Sequence, residues 1–174
     1  RKHGLTGGRH EWKKAVRINE AHATRVANSI VTLAAMYDVD TIVFEYLDMK
    51  GKTYGPKKQR LHMWRKNSIQ KMVEIKAHLN CIHVSHICAW NTSKLAYDGS
   101  GKVERGIKND NQEPNYSLCK FTSGKMYNCD LNASYNIGAR YFIRKMIYKA
   151  PELADKVPVA SRRTYSDLKA LLAA

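Results

Sequence analysis

Acidic side chains are scarce in this chain: 15 Asp and Glu stand against 30 Lys and Arg, giving a net charge of +15. That shortage argues against a cationic partner and favours a polyanion, because each Lys or Arg laid on a phosphate releases condensed counterions. Long apolar runs are also missing. No stretch reaches the roughly 18 residues of a spanning helix, so no membrane partner is expected. The first residues carry no signal-peptide apolar core, and the four cysteines are therefore expected as buried free thiols rather than a disulfide framework. Paired C-x2-C spacing is absent too: Cys81, Cys88, Cys119 and Cys129 do not follow a zinc-ribbon pattern, and no zinc is expected. What is present is a globular composition, 44% hydrophobic over 174 residues, enough for one domain with a core. The chain begins with Arg1 rather than Met, so it is expected to be a piece of a longer polypeptide.

The pattern alternates helices and strands. A helix is predicted over 11–37, where Trp12, Val16, Ala23, Val26, Ile30, Leu33 and Ala34 recur at three- and four-residue steps. A strand is predicted over 41–47, a lysine-rich loop marked by Gly51, Gly55 and Pro56, and a helix over 59–79 with an apolar face of Leu61, Trp64, Ile69, Met72, Val73 and Ile75. A second strand over 81–87 follows, then a polar, Gly- and Asn-rich insert with a hairpin at "YDGSGKV", a third helix through Lys149 and a short terminal helix over 165–172. The order implies an α/β architecture with parallel pairing. Two strands make no stable sheet alone, so an upstream segment or another chain is expected to complete it. The domain organisation reads as 1–92, an insert over 93–128, and 129–174.

The chemistry rests on two acids. "TIVFEYLD" places Glu45 near the end of an apolar strand, at the carboxyl edge where α/β sites collect. A buried Glu must neutralise or find a cation, and a neighbouring Lys or a backbone donor would serve as well as a metal. "NCDLNASYNIGARYF" places Asp130 at a helix start. Taken alone it reads as an N-cap. Strand end and helix start meet at one edge of an α/β layer, so the two carboxylates are expected to converge. Such acids around Mg²⁺ make a phosphodiester-cleaving site.

"DTIVFEYLDMKGK", then "WNTSK", then "NCDLNASYNIGARY" resembles the second and third segments of the RuvC-like nuclease domain of TnpB-type transposon-encoded, RNA-guided nucleases and type V CRISPR effectors. The resemblance runs to about Lys149. It implies a partial RNase H-like fold with an irregular insert in place of a zinc ribbon, and an endodeoxyribonuclease activity of the intact protein. Glu45 and Asp130 would be catalytic residues and ligands of Mg²⁺ or Mn²⁺, with Asn132 and Asp48 supporting them. It also implies guide RNA, target DNA and the polypeptide upstream of Arg1 as partners, in the cytoplasm of a prokaryotic cell, at the nucleoid when bound to DNA. The basic helix falls where relatives carry a helix against the guide–target duplex. Phosphate contacts are assigned to Lys13, Lys14, Arg17 and Arg25 on it, and to Lys50, Lys52, Lys57, Lys58, Arg60 and Arg65 in the loop and second helix. Tyr54 and Trp90 are candidates for base stacking, although a tryptophan so near a strand also suits a core. Two features depart from the family. No Asp precedes Asp38, so the first metal-binding aspartate is missing, and the cysteine ribbon after T-S-K is replaced by "LAYDGSG" and "LCKFTSG". A nucleic-acid-binding protein without catalysis is the alternative reading, and a DDE-type transposase is a third.

Overall fold

The computed structural model describes residues 8–46, 66–108 and 114–174, and only the backbone of Arg9, Lys66, Lys108 and Pro114. The loop lysines Lys50, Lys52, Lys57 and Lys58, together with Arg60, Arg65, Asp48 and Tyr54, lie outside these residues. The chain divides into two compact units, Arg1–Ile42 with Asp48–Val84, and Val43–Leu47 with Ser85–Ala174.

In the first unit, helix α1 (Arg9–Met36) packs against helix α2 (Lys66–Leu79). The buried stripe of α1 is Ala23, Ala27, Val31 and Ala34, and that of α2 is Val73 and Ala77. Alanines on both faces let the helix axes approach closely. Trp12, Val26 and Leu33, which the periodicity places on the buried face, are exposed, as is Ile75 of α2. The true stripe follows steps of four, four and three through small residues, and alanine carries too little hydrophobic weight to mark it. Both helices stop alike. Val39 N–H donates to Ala34 O at 2.9 Å and Ile82 N–H to Ala77 O at 2.9 Å, each closing the helix through a residue of positive φ, Asp38 and Cys81. The chain then enters strands β1 (Thr41–Tyr46) and β2 (His83–Cys88), which form a two-stranded parallel sheet. Cys81 is therefore a turn residue, exposed, and not the strand residue that its alternation suggests.

The second unit corrects the expectation of an irregular insert. A tight hairpin, with Leu95 bridged to Lys102, leads into an antiparallel sheet of β3 (Glu104–Lys108), β4 (Pro114–Lys120) and β5 (Met126–Asn128). The register shifts between Arg105 and Ile107. At that bulge Gly106 has φ of +70°, and a Cβ there would lie 3.2 Å from the Tyr116 ring, so glycine is needed on both counts. Ala96, Cys119, Phe121 and Cys129 form the core of this part, with Tyr97, Val103 and Tyr127 against it. Lys125 donates to the Tyr97 hydroxyl at 2.8 Å and stands 4.8 Å from the Tyr127 ring centre. Short strands, a bulge and many polar residues hide this sheet from pattern reading.

Burial, and then the neighbouring Cys129 thiol, push the Cys119 thiol up to about 11. A thiol so protonated is a poor nucleophile. Alkylation of the folded protein near pH 8 is expected to label exposed Cys81 first and leave Cys119 unmodified, as read by peptide mass spectrometry. Equal labelling of the two would contradict this packing.

Helix α3 (Cys129–Lys149) follows β5, then a 3₁₀ turn Pro151–Lys156 and helix α4 (Tyr165–Ala173). Ala139 and Ile143 of α3 pack on Leu168 and Leu171 of α4. A capping box between Thr164 and Asp167 starts α4.

Candidate functional site

One face of α3 is polar and buried. Asn132, Asn136 and Arg140 follow at four-residue steps and are 0%, 0% and 3% exposed. Asn132 donates to Leu95 O at 2.9 Å and accepts from Tyr97 N–H at 2.8 Å. Asn136 donates to Thr92 O at 2.9 Å and Leu95 O at 2.8 Å, and accepts from Tyr165 N–H at 3.2 Å. Together they lock the "NTSK" turn, through Thr92, and the residues just after it, Leu95 and Tyr97, onto the helix. Buried amides survive in a core only when satisfied in this way.

The same turn reaches the strand carboxylate. The Thr92 hydroxyl donates to Oε1 of Glu45, which is half-buried in the fifth of the six positions of β1. Thr92 itself is buried, so Glu45 is held by at least one fixed group. The Glu45 charge also acts on Arg140, partly opposing the burial that lowers the arginine's pKa.

Arg140 closes the sheet edge. Its Nη1 donates to Cys88 O and Trp90 O at 2.7 Å each, its Nε to Arg163 O at 3.0 Å and its Nη2 to Ser161 O at 3.1 Å. One turn on, Arg144 donates to His86 O at 2.7 Å and to the Ser85 hydroxyl at 2.5 Å. Residues 86 and 88 point their carbonyls the same way along one edge of β2, as the period of two requires, and the Trp90 carbonyl follows in the turn just beyond. Guanidinium groups satisfy them where a further strand would.

Asp130 is not the helix cap. Asn128 occupies that position, its Oδ1 accepting from the N–H groups of Asp130 at 2.9 Å and Leu131 at 3.0 Å. The N-cap reading of Asp130 fails because the helix begins one residue before it, at Cys129, and the preceding amide does the capping. The Asp130 carboxylate stands exposed in the first turn, where the helix dipole favours its charge. Asn132, two residues on, is a packing amide on the NTSK turn.

Glu45 and Asp130 are both hard oxygen donors, the type that Mg²⁺ and Mn²⁺ take. Among the described residues no group of three or more His, Cys, Asp or Glu side chains is disposed to hold a metal ion. Lys13, Lys14, Arg17 and Arg25 are exposed on α1, within an arc of about 120° at about 100° per residue. Trp90 is 75% exposed, which removes the core reading and leaves its ring free to stack. Thr92, Asn136 and Arg140 went unassigned in the sequence. Their signal was there, as three polar residues at helical spacing in "NASYNIGAR", but spacing alone cannot tell a buried polar face from a solvated one.

No family model and no curated protein matches this chain. Solved structures do. Cas12f1, in a complex with sgRNA and target DNA, superposes over 72% of this chain with a TM-score of 0.53 and 24% identity. The chain is similar in fold to part of a type V CRISPR effector. C2c1 of Alicyclobacillus acidoterrestris, solved with single-guide RNA, superposes over 79% of the chain with a TM-score of 0.59 and 14% identity. The chain spans 34% of the length of that Cas12f1 chain and 16% of that C2c1 chain. No helix among the described residues is long and apolar enough to cross a membrane.

Proposed function

We propose that this chain is the part of an RNA-guided DNA endonuclease that carries two carboxylates of a RuvC-like site, Glu45 and Asp130. The observation that carries this reading is the NTSK turn. Thr92 holds the strand carboxylate from that turn, while Asn136 binds the turn's backbone, and Asn132 the backbone just after it, to the helix whose first turn bears Asp130. A polar buried network of this kind is expensive unless every member is satisfied, and its result is to fix the surroundings of two acids. Glu45 and Asp130 would hold Mg²⁺ or Mn²⁺. When bound, such an ion supplies charge stabilisation to the attacking and leaving oxygens of a phosphodiester. The further carboxylate that a two-ion site needs is assigned to a segment outside these 174 residues. The basic face of α1 would lie along the backbone of guide RNA or target DNA.

The test is guide-dependent DNA cleavage by the full-length polypeptide with Mg²⁺ or Mn²⁺. Glu45→Ala and Asp130→Ala are each expected to reduce cleavage by about a hundredfold or more, since both remove a direct ligand, while guide and target binding persist. Full cleavage by either variant would remove the carboxylate site from this account. A nuclease-inactive, nucleic-acid-binding protein is the second reading. It is favoured by the absence of a three-ligand cluster among the described residues, and binding of guide and target without cleavage by the unsubstituted polypeptide would select it.

A further inference from the structure

The segment that leads into α4 is tied to the NTSK turn and its hairpin by buried side chains of α3. Asn136 accepts from Tyr165 N–H at 3.2 Å and donates to Thr92 O at 2.9 Å. Arg140 joins Ser161 O and Arg163 O to Cys88 O and Trp90 O. Direct links run beside them: Asn91 donates to Ser161 O at 3.3 Å, and Ser166 N–H to Tyr97 O at 2.9 Å. At Gly99, with φ of +82°, a Cβ would lie 3.0 Å from Ser166, so the hairpin meets α4 closely at a glycine.

Each of these hydrogen bonds uses a backbone group of the C-terminal segment. They form wherever that segment lies, and its own side chains decide only where it lies. Leu168 and Leu171 do so, packed on Ala139 and Ile143. A helix of nine residues is marginal by itself in water, so α4 folds and docks in one event. It is therefore an element with two states, docked and undocked.

The other end of the network is a hydroxyl with two acceptors. Thr92 Oγ1 donates to Glu45 and also lies 3.0 Å from Ala89 O. It carries one hydrogen, so a small shift of the turn hands that hydrogen to the backbone and takes this hold off the carboxylate.

We propose that α4 is a positioning element for Glu45: docked on α3, it fixes through Asn136 and Arg140 the turn from which Thr92 holds the strand carboxylate. Undocked, it leaves the turn free to rearrange. The effect on cleavage rests on the reading of Glu45 as a metal ligand, whereas the coupling of α4 to the turn does not.

The experiment is amide hydrogen exchange of the full-length polypeptide in chelator, followed by guide-dependent cleavage over a Mg²⁺ titration. Leu168→Ala with Leu171→Ala undocks α4 without removing a polar group. Val31→Ala with Val73→Ala, in the core between α1 and α2, controls for lost apolar packing. The α4 variant is expected to exchange about tenfold or more faster at Lys94 and Leu95, while β3 to β5 keep the parent's rates. Those two N–H groups are bonded to Asn91 O at 3.1 Å. Cleavage should then need about tenfold more Mg²⁺ for half its maximal rate, because a misplaced ligand weakens metal binding. Guide and target binding should be unchanged. Leu168→Met with Leu171→Met, which nearly conserves volume, should restore both readouts. The single Leu171→Ala should move both by less in the same direction, and it carries the test where the double variant fails to fold. Faster exchange confined to α4 would overturn the coupling. So would an equal rise at Lys94 and Leu95 in the control, or a rise spread evenly over β3 to β5. A loosened turn with an unmoved Mg²⁺ requirement would overturn the positioning of Glu45. Full cleavage by Glu45→Ala is a different result: it removes the carboxylate site, and exchange at the turn still decides the coupling.

Discussion

Replacing Arg140, itself buried, with alanine is expected to cost about 3 to 5 kcal/mol of stability, because it removes the donor from several part-buried carbonyls at once. Three carbonyl oxygens, from Cys88, Trp90 and Arg163, take a side-chain donor from this guanidinium, and a fourth, from Ser161, shares it with Asn91. One belongs to the last residue of β2, one to the turn just after it and two to the segment before α4, so the loss frees the end of the strand and the C-terminal segment together. Arg140→Lys should recover only a fraction. An ammonium presents its donors from one point and cannot span acceptors that a planar fork reaches from several nitrogens. Thermal unfolding by circular dichroism checks this, and a midpoint about 10 °C or more below that of the parent is expected for alanine. A shift of a degree or two would mean that water replaces the guanidinium at little cost. Hydrogen exchange should also quicken at the amides of β2 and of residues 161–165, more than in the antiparallel sheet of the insert.

The 174-residue chain is expected to bind single-stranded DNA or RNA tightly at low salt and to lose about a thousandfold or more in affinity between 50 and 200 mM salt. The slope follows from the number of phosphates neutralised, and a chain of net charge +15 carries ample cations for six or more. A slope near zero would contradict the reading of its charge as an interface. The same chain is expected to cut poorly or not at all. Mg²⁺ dehydrates reluctantly and asks for near-ideal octahedral geometry. Glu45 and Asp130 would supply two anchors, and the described residues hold no cluster of three or more such ligands. Cleavage of single-stranded DNA with Mg²⁺ and with Mn²⁺ is the measurement, set beside Glu45→Ala and Asp130→Ala. Robust cutting that either substitution abolishes would show that these residues already contain a complete site.

Much of the architecture was legible because local pattern and tertiary fold agree. The apolar run around Glu45 is a strand, "NCDLNASYNIGARYF" opens a long helix, and the terminal helix starts at Tyr165. The strand is marked by its apolar run, and the two helices by the spacing of Ala139 and Ile143 in one and of Leu168 and Leu171 in the other. The +15 charge and the two acids in their segments likewise need no coordinates.

What the tertiary structure decided is which polar groups are used up by the fold. In the sequence, Asp130 stands where a cap would; only the position of the helix start shows that Asn128 does that work and leaves Asp130 exposed. Trp90 looks like core until the chain turns it outward, and Asn136 and Arg140 look like surface until they meet the NTSK turn and the edge of β2. The aromatic-centred sheet of the insert was hidden for the same reason. Its contacts join Tyr97 to Phe121 and Tyr127, far apart in sequence and unmarked by any period. Periodicity is a property of neighbours along the chain, whereas the satisfaction of a buried polar atom depends on partners brought in from elsewhere.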